Sequence, residues 1–306
     1  MQNEYIKPNI ELVKSFINNE NVVNYSFRLE NEKLTDEDDG IINFKNYKRA
    51  SSNFDCDRCE LTMSICCVLL QNADFVKEVL GYQGRQIRYI ESDGNIVDVE
   101  TDTINSLETE LNKFVRNVIK RRFGNTWVDL YTSGCKIVDG QLKLNFYDEN
   151  LRKQSVSNRD SWLVNNYEQL FDVKFITEEE KNCLTTFNLL ADKVHTVGNF
   201  MIGPVGFNSS DKRAKSHCSD RFDIFMEKVL NNEDYCDWKQ WFLKAKDILY
   251  IDGYFSAEFN DNTTSNDIID LRSDNVEIWG DLICELIEKR SNNILQALKE
   301  VLKSVI

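Results

Sequence analysis

Apolar residues at helical spacing open and close this chain, and strand-like alternation lies between them. Pro8 suits a first helical position, with Ile10, Val13, Phe16 and Ile17 following on one face. The run from Glu60 to Leu70 is densely apolar and predicts a buried helix; Asp74 predicts the cap of a short second one before Gly81. Asp93-Gly94 then separates "QIRYIE" from "NIVDV", and Asp139-Gly140 separates "KIV" from "QLKLNF". Asp-Gly suits a two-residue hairpin turn because both positions need positive φ. Leu142, Leu144 and Phe146 alternate, so that strand buries one face, and "TWVDLY" at 126–131 would complete a three-stranded meander.

Between the hairpins, Ile104, Leu107, Leu111, Phe114, Val115 and Val118 predict a helix over 103–122. Its acidic start (Glu108, Glu110) and basic end (Lys120, Arg121, Arg122) complement the helix dipole, which accounts for "KRRFG" without a nucleic-acid patch. From about residue 158 the pattern is mainly helical: 158–173, 177–193, 219–231, 236–251 and a closing helix from about 275. Ile278, Leu282, Leu286, Ile294, Leu298, Val301 and Leu302 carry the last stripe. "TDEDDG" at 35–40 and "NDNTTSND" at 260–267 read as loops, and no repeat of fixed period occurs. The fold class expected is α+β: a small antiparallel sheet of hairpins with helices, followed by a mainly helical C-terminal half. Residues 1–155 would form the mixed region and 156–306 the helical one, as two regions or one continuous domain.

Composition narrows the class. A chain of 306 residues that is 42% hydrophobic and 11% aromatic can bury a real core, so an intrinsically disordered protein is excluded. No run of about 18 apolar residues suggests a membrane span, and the N-terminus lacks the pattern of a secretory signal. Nine cysteines, an odd count that includes the adjacent pair Cys66 and Cys67, suit a reducing compartment better than a disulfide scaffold. A cytoplasmic location is therefore expected. The formal net charge of −14 opposes direct nucleic-acid binding, whose affinity rests on phosphate neutralisation, and suits a basic protein partner.

Walker, G-x-G-x-x-G, H-E-x-x-H and G-x-S-x-G motifs are all missing. The residue types that carry chemistry gather instead in "KVHTVGNFMIGPVGFNSSDKRAKSHC", residues 193–218. It holds both histidines, His195 and His217, together with Pro204, three glycines and the basic Lys212, Arg213 and Lys215. Asn208 lies 13 positions after His195, and His217 lies 9 after Asn208. That spacing is close to an HNH nuclease finger, where a general-base His on a strand, an Asn in a loop and a metal-binding His on a helix surround a divalent metal, magnesium or zinc. Here "HTVGNFMI" would be the strand, and Ser219 would cap the helix. Val194 stands where such fingers carry an acidic residue, and no C-x-x-C knuckles bracket the segment. A structural reading accounts for the same residues: glycines for close approach, Pro204 for a turn, and Asn199 or Asn208 bridging backbone groups.

Three further groups are candidates. Cys56 and Cys59 form one C-x-x-C, which His217 and Cys218 would complete as a zinc site. Trp238 and Trp241, with Phe242, share a helical face that serves as core or as an interface anchor. Asn199, Lys212 and Arg213 are candidate binding residues.

"LLADKVHTVGNFMIGPVGFNSSDKR", "DRFDIFMEKV" and "DWKQWFLKAKDILYIDGYF" together resemble an uncharacterised bacterial family carrying "HTIGN…P…FN…R" ahead of an Asp- and Phe-containing helix. "VGNFMIGPVGFN" is also similar to the "IGNLTLL…N" segment of DUF1524-type HNH nucleases. The resemblance implies a strand, a Gly-Pro turn, an Asn-bearing loop and a helix, with no activity attached. The reading expected is a non-enzymatic, cofactor-free acidic protein that binds another protein, such as an inhibitor or regulator in conflict between bacteria and phage. The partner would be basic or would handle nucleic acid, and the oligomeric state stays open. The alternative is the HNH-like nuclease.

Overall fold

A computed structural model of the chain describes residues 5–19, 22–24, 58–105, 136–138, 141–143, 177–207, 209, 215–218, 221–269, 271 and 276–303. The elements, in order, are α1 (Ile10–Ile17), α2 (Glu60–Gln71), β1 (Val76–Gln83), β2 (Gln86–Glu91) and β3 (Ile96–Thr103). They continue with β4 (Lys136–Val138), β5 (Gln141–Lys143), α3 (Glu178–Lys193), β6 (Phe200–Pro204), α4 (Phe222–Asn231), α5 (Cys236–Leu249) and α6 (Val276–Lys303). The fold is α+β, with a four-stranded antiparallel sheet and a helical C-terminal region.

Two compact units divide the chain. One comprises Met1–Lys33, Phe54–Ser106 and Asp192–Ile306; the other comprises Leu34–Asn53 and Leu107–Ala191. Both halves of the sequence thus contribute to the first unit. In the second, β4 and β5 pair antiparallel with Val138 opposite Gln141, so Asp139-Gly140 is the expected two-residue connection. The acidic stretch 35–40, "TWVDLY", the helix 158–173 and nearly all of the helix 103–122 lie outside the described residues. Residue 103 itself belongs to β3, so a helix does not begin there.

The first unit is built on the sheet β1-β2-β3-β6. A hairpin does join β2 and β3 at Asp93-Gly94, but through residues 92–95 and not a two-residue turn. Glu91 N donates to Asn95 O at 2.8 Å, and of the Asp-Gly pair only Gly94 has positive φ (+92). Ile87 and Tyr89 of β2, and Val99 and Thr101 of β3, are buried by simple alternation. Helix α2 packs on this sheet, and Thr101 Oγ1 donates to the Met63 sulfur at 3.5 Å. Val76–Gln83 is a strand, and no helix is capped by Asp74. Two register shifts, between Val76 and Glu78 and between Val79 and Gly81, bring Val76, Val79 and Tyr82 to the interior. The resulting spacing of three imitates a helix, although the residues are extended.

Asn9, not Pro8, begins α1: its side chain accepts from Leu12 N at 3.0 Å, while its backbone N–H donates to Ser64 Oγ at 2.9 Å. Val13 and Phe16 then join Leu61, Ile65, Val68, Ile294, Leu298 and Leu302 in one core cluster, to which Val197 and Phe200 also belong. Each such side chain contributes about 1.5–3 kcal/mol on leaving water. Around α4 and α5 a second, aromatic layer contains Phe207, Phe222, Phe225, Trp238 and Phe242 at edge or tilted geometries.

Helix α6 spans 28 residues. Its buried stripe runs through Trp279, Ile283, Ile287, Arg290, Ser291, Ile294, Leu298 and Leu302, whereas Ile278 is 61% exposed. Of the stripe expected from sequence, Leu286, Ile294, Leu298 and Leu302 are buried, Leu282 and Val301 are half-buried and Ile278 alone is exposed, while two polar residues, Arg290 and Ser291, sit at the centre.

Gly198 meets that centre. A β-carbon there would lie 2.0 Å from Ile287 O and 2.3 Å from Ser291 Oγ. The Gly198→Ala substitution should lower stability by about 3 kcal/mol, the upper range for overpacking against backbone. Gly84→Ala, at φ +59 in open space, should cost only about 1 kcal/mol. Urea denaturation of both variants checks the difference; equal midpoints would contradict the close approach at Gly198.

Candidate functional site

Most of the described residues of the segment 193–218, from Val194 and Val197 through Phe200 and Phe207 to Lys215 and Cys218, are buried in the first unit. After α3 the chain turns through Val194 and His195, and Thr196 donates to Lys193 O from both N (3.0 Å) and Oγ1 (2.7 Å). Val197–Asn199 forms one 3-10 turn before β6 begins. Gly198 N donates to Ser291 Oγ at 3.0 Å. Arg290 reaches the same place from α6, with Nη1 donating to Gly198 O (2.7 Å) and Phe200 O (2.6 Å) and Nε donating to Leu249 O (2.7 Å).

Asn199 is fully buried and acts as a piece of backbone. Its Oδ1 accepts from Asn105 N (3.0 Å), and its Nδ2 donates to Asn105 O (2.9 Å) and Val194 O (2.8 Å). Its own carbonyl accepts from Ile104 N at 2.7 Å. Asn105 in turn donates to the buried Tyr254 hydroxyl at 2.7 Å. Burial pushes that phenol up to about 12, and it pushes the Arg290 guanidinium down to about 10, still charged at neutral pH.

Two ion pairs hold the chain beyond β6. Lys215, 1% exposed, places Nζ 3.0 Å from Asp102 of β3, with Arg85 at 3.9 Å from the same carboxylate. Arg221 pairs with Asp223 through two bonds of 3.0 and 2.8 Å, and its guanidinium lies over the Trp279 ring at 5.6 Å. Arg221 occupies the N-cap position of α4, so this buried pair orders the helix start in place of a Ser219 cap.

The expected nuclease geometry is only partly represented. His195 is half-buried in a turn five residues ahead of the strand, not on it, because the 3-10 turn pinned by Ser291 and Arg290 intervenes. His217 lies in the short 3-10 turn Lys215–Cys218, ahead of α4 and not on it. Asn208, Lys212, Arg213, Cys56 and the His217 side chain lie outside the described residues. Cys59 caps α2, its sulfur accepting from Thr62 N at 3.5 Å, and Cys218 is buried. No cluster of three metal-ligating side chains occurs among the described residues.

Asn199 and Trp238 are buried and leave no face for a partner. Trp238 packs against Phe225 and Tyr235, as core. Trp241 is half-buried beside Phe242. The residues missed from sequence are Arg290, Ser291 and Asn105. A signal existed for the first two: a polar "RS" interrupting an Ile/Leu stripe.

No family model, curated protein or solved structure matches this chain. No helix among the described residues is long and apolar enough to cross a membrane.

Asn199→Ala should strand buried donors and acceptors of Asn105 and Val194 and cost about 3 kcal/mol. Lys215→Met should cost about 3–5 kcal/mol by removing the ammonium that answers the buried Asp102 charge. Adding Asp102→Asn to it should restore part of the loss. Chemical denaturation of the single and double variants checks this, and additive losses would contradict the pairing.

Proposed function

We propose that this chain is a non-enzymatic binding protein whose acidic surface engages a basic partner protein, of the kind that handles nucleic acid. The observation that carries this reading is the placement of charge. Lys215, Arg221 and Arg290 are buried, the first two beside Asp102 and Asp223. Among the described residues two buried pairs cancel and Arg290 withdraws one more positive charge, so burial there takes no net negative charge from the surface of the −14 chain. Glu233, Asp234 and Asp237 are exposed together where α4 passes to α5. A surface of one dominant sign raises the encounter rate with an oppositely charged protein and repels nucleic acid.

The non-enzymatic part rests on Asn199, Gly198 and Lys215. The segment richest in chemical side chains directs these groups to the chain's own backbone and to a buried carboxylate. Nothing comparable favours the nuclease reading, which needs His195 on a strand.

Capture experiments from the native source should retain a basic protein at about 0.1 M salt and release it at about 1 M, where the Debye length shrinks to about 3 Å. Added duplex DNA should compete for that partner. Retention that ignores salt, or no basic partner, would contradict the proposal. Incubation with DNA or RNA and Mg²⁺ or Mn²⁺ should give no cleavage; cleavage abolished by His195→Ala would establish the nuclease instead.

A further inference from the structure

The loop that follows α5 leaves a cleft of about 410 Å³ against α6. That volume lies within the range of small-molecule sites, about 300–1,000 Å³. Its walls carry opposite charges. Lys289 and Arg290 stand on the α6 side, and Asp252 and Glu258 stand on the loop side, with Tyr250, Ser256 and Asn293 adding polar groups.

Arg290 is 3% exposed, and no carboxylate pairs with it among the described residues. An arginine has five N–H donors. Nε and Nη1 give theirs to Leu249 O, Gly198 O and Phe200 O, which leaves both donors of Nη2 for the cleft that Arg290 lines. A buried guanidinium answered only by carbonyl dipoles favours the arrival of an anion. On the facing wall, Asp252 accepts from Phe259 N through Oδ1 at 3.0 Å, so Oδ2 stays available. Glu258 is bridged by Lys246 at 2.5 Å, which makes Asp252 the stronger of the two cation acceptors.

Tyr250 adds an independent sign. It is the one non-glycine residue with positive φ (53°) among the described residues, and it closes α5 where glycine is the usual choice. Its half-buried phenol lines the cleft. Strained backbone of this kind concentrates at ligand sites.

We infer that the cleft binds a small zwitterion of the α-amino-acid type, with its carboxylate on Arg290 Nη2 and Lys289 and its ammonium on Asp252. A simple anion would meet the Asp252 and Glu258 carboxylates, and a simple cation would meet Arg290. Only a ligand carrying both signs is matched by both walls. This inference is independent of the protein partner proposed above.

Isothermal titration with the common L-amino acids tests it, beside the amide and N-acetyl derivatives of whichever binds and inorganic phosphate. A free amino acid should bind, and blocking either charged end should weaken it about ten-fold or more. Asp252→Asn keeps an acceptor for Phe259 N, so the loop should stay folded by circular dichroism. That variant should bind the free amino acid about ten-fold more weakly and leave the residual binding of the N-acetyl form unchanged. Lys289→Glu, on the exposed side of α6, should abolish binding. Equal affinity for the N-acetyl form, preference for phosphate, or no amino acid bound by the folded protein would each overturn the assignment.

Discussion

The approach of Gly198 to α6 is the constraint on which the first unit depends. With no side chain at that position, the backbone of 197–200 lies against Ile287 and Ser291 closely enough for Ser291 to bind it directly. That contact determines where β6 starts, and hence its register against β3, with Phe200 opposite Thr103 and Pro204 opposite Val99. The pairing joins stretches about 100 residues apart, and loop closure over such a distance must be repaid by contacts that form together. Asn199 and Asn105 supply them beside the strand pair, while Val197 and Phe200 supply apolar contacts to α1, α2 and α6.

Arg290 solves a second problem created at the same place. A helix leaves its last carbonyls without intrahelical donors, and an irregular buried turn leaves others. Leu249 O ends α5, while Gly198 O and Phe200 O flank the start of β6. One guanidinium serves all three, and its charge also suits the negative end of the α5 dipole. Desolvation opposes this arrangement and lowers the Arg290 pKa, and three charge-assisted bonds offset it. A methionine in its place would fill the space but leave three carbonyls buried without donors. The polar interior here is thus a consequence of irregular backbone geometry.

Legibility in sequence follows the range of the interaction. The Asp-Gly hairpins, the buried helix from Glu60 and the helix starting near 236 are readable, because turn chemistry and periodicity act over a few residues. β1 is not, because its register shifts bury Val76, Val79 and Tyr82 with helical spacing. In α6 the apolar stripe is readable except at Ile278, but Arg290 and Ser291, which complete its buried face, are skipped by an apolar count. The β3–β6 pairing leaves no local trace at all. Of the candidate site, the segment's importance is visible, but its partners lie on α6 and at Asn105, too distant in sequence to be inferred from spacing.

At three positions of that segment, residue types that also serve catalysis meet structural needs. A buried, irregular connection needs glycine where backbones touch, asparagine where a missing peptide group must be imitated, and charged side chains where carbonyls or carboxylates lack partners. Gly198, Asn199 and Lys215 meet these needs one for one. The cleft beside α6 is made from commoner residues, a tyrosine, an aspartate and a lysine, and nothing in their order distinguishes them. Its character comes from three-dimensional placement: an arginine with donors left over, a carboxylate facing it, and a tyrosine in a backbone conformation that glycine normally takes. At Gly198, Asn199 and Lys215 unusual composition marks where the chain holds itself together, while residues of ordinary composition line the cleft.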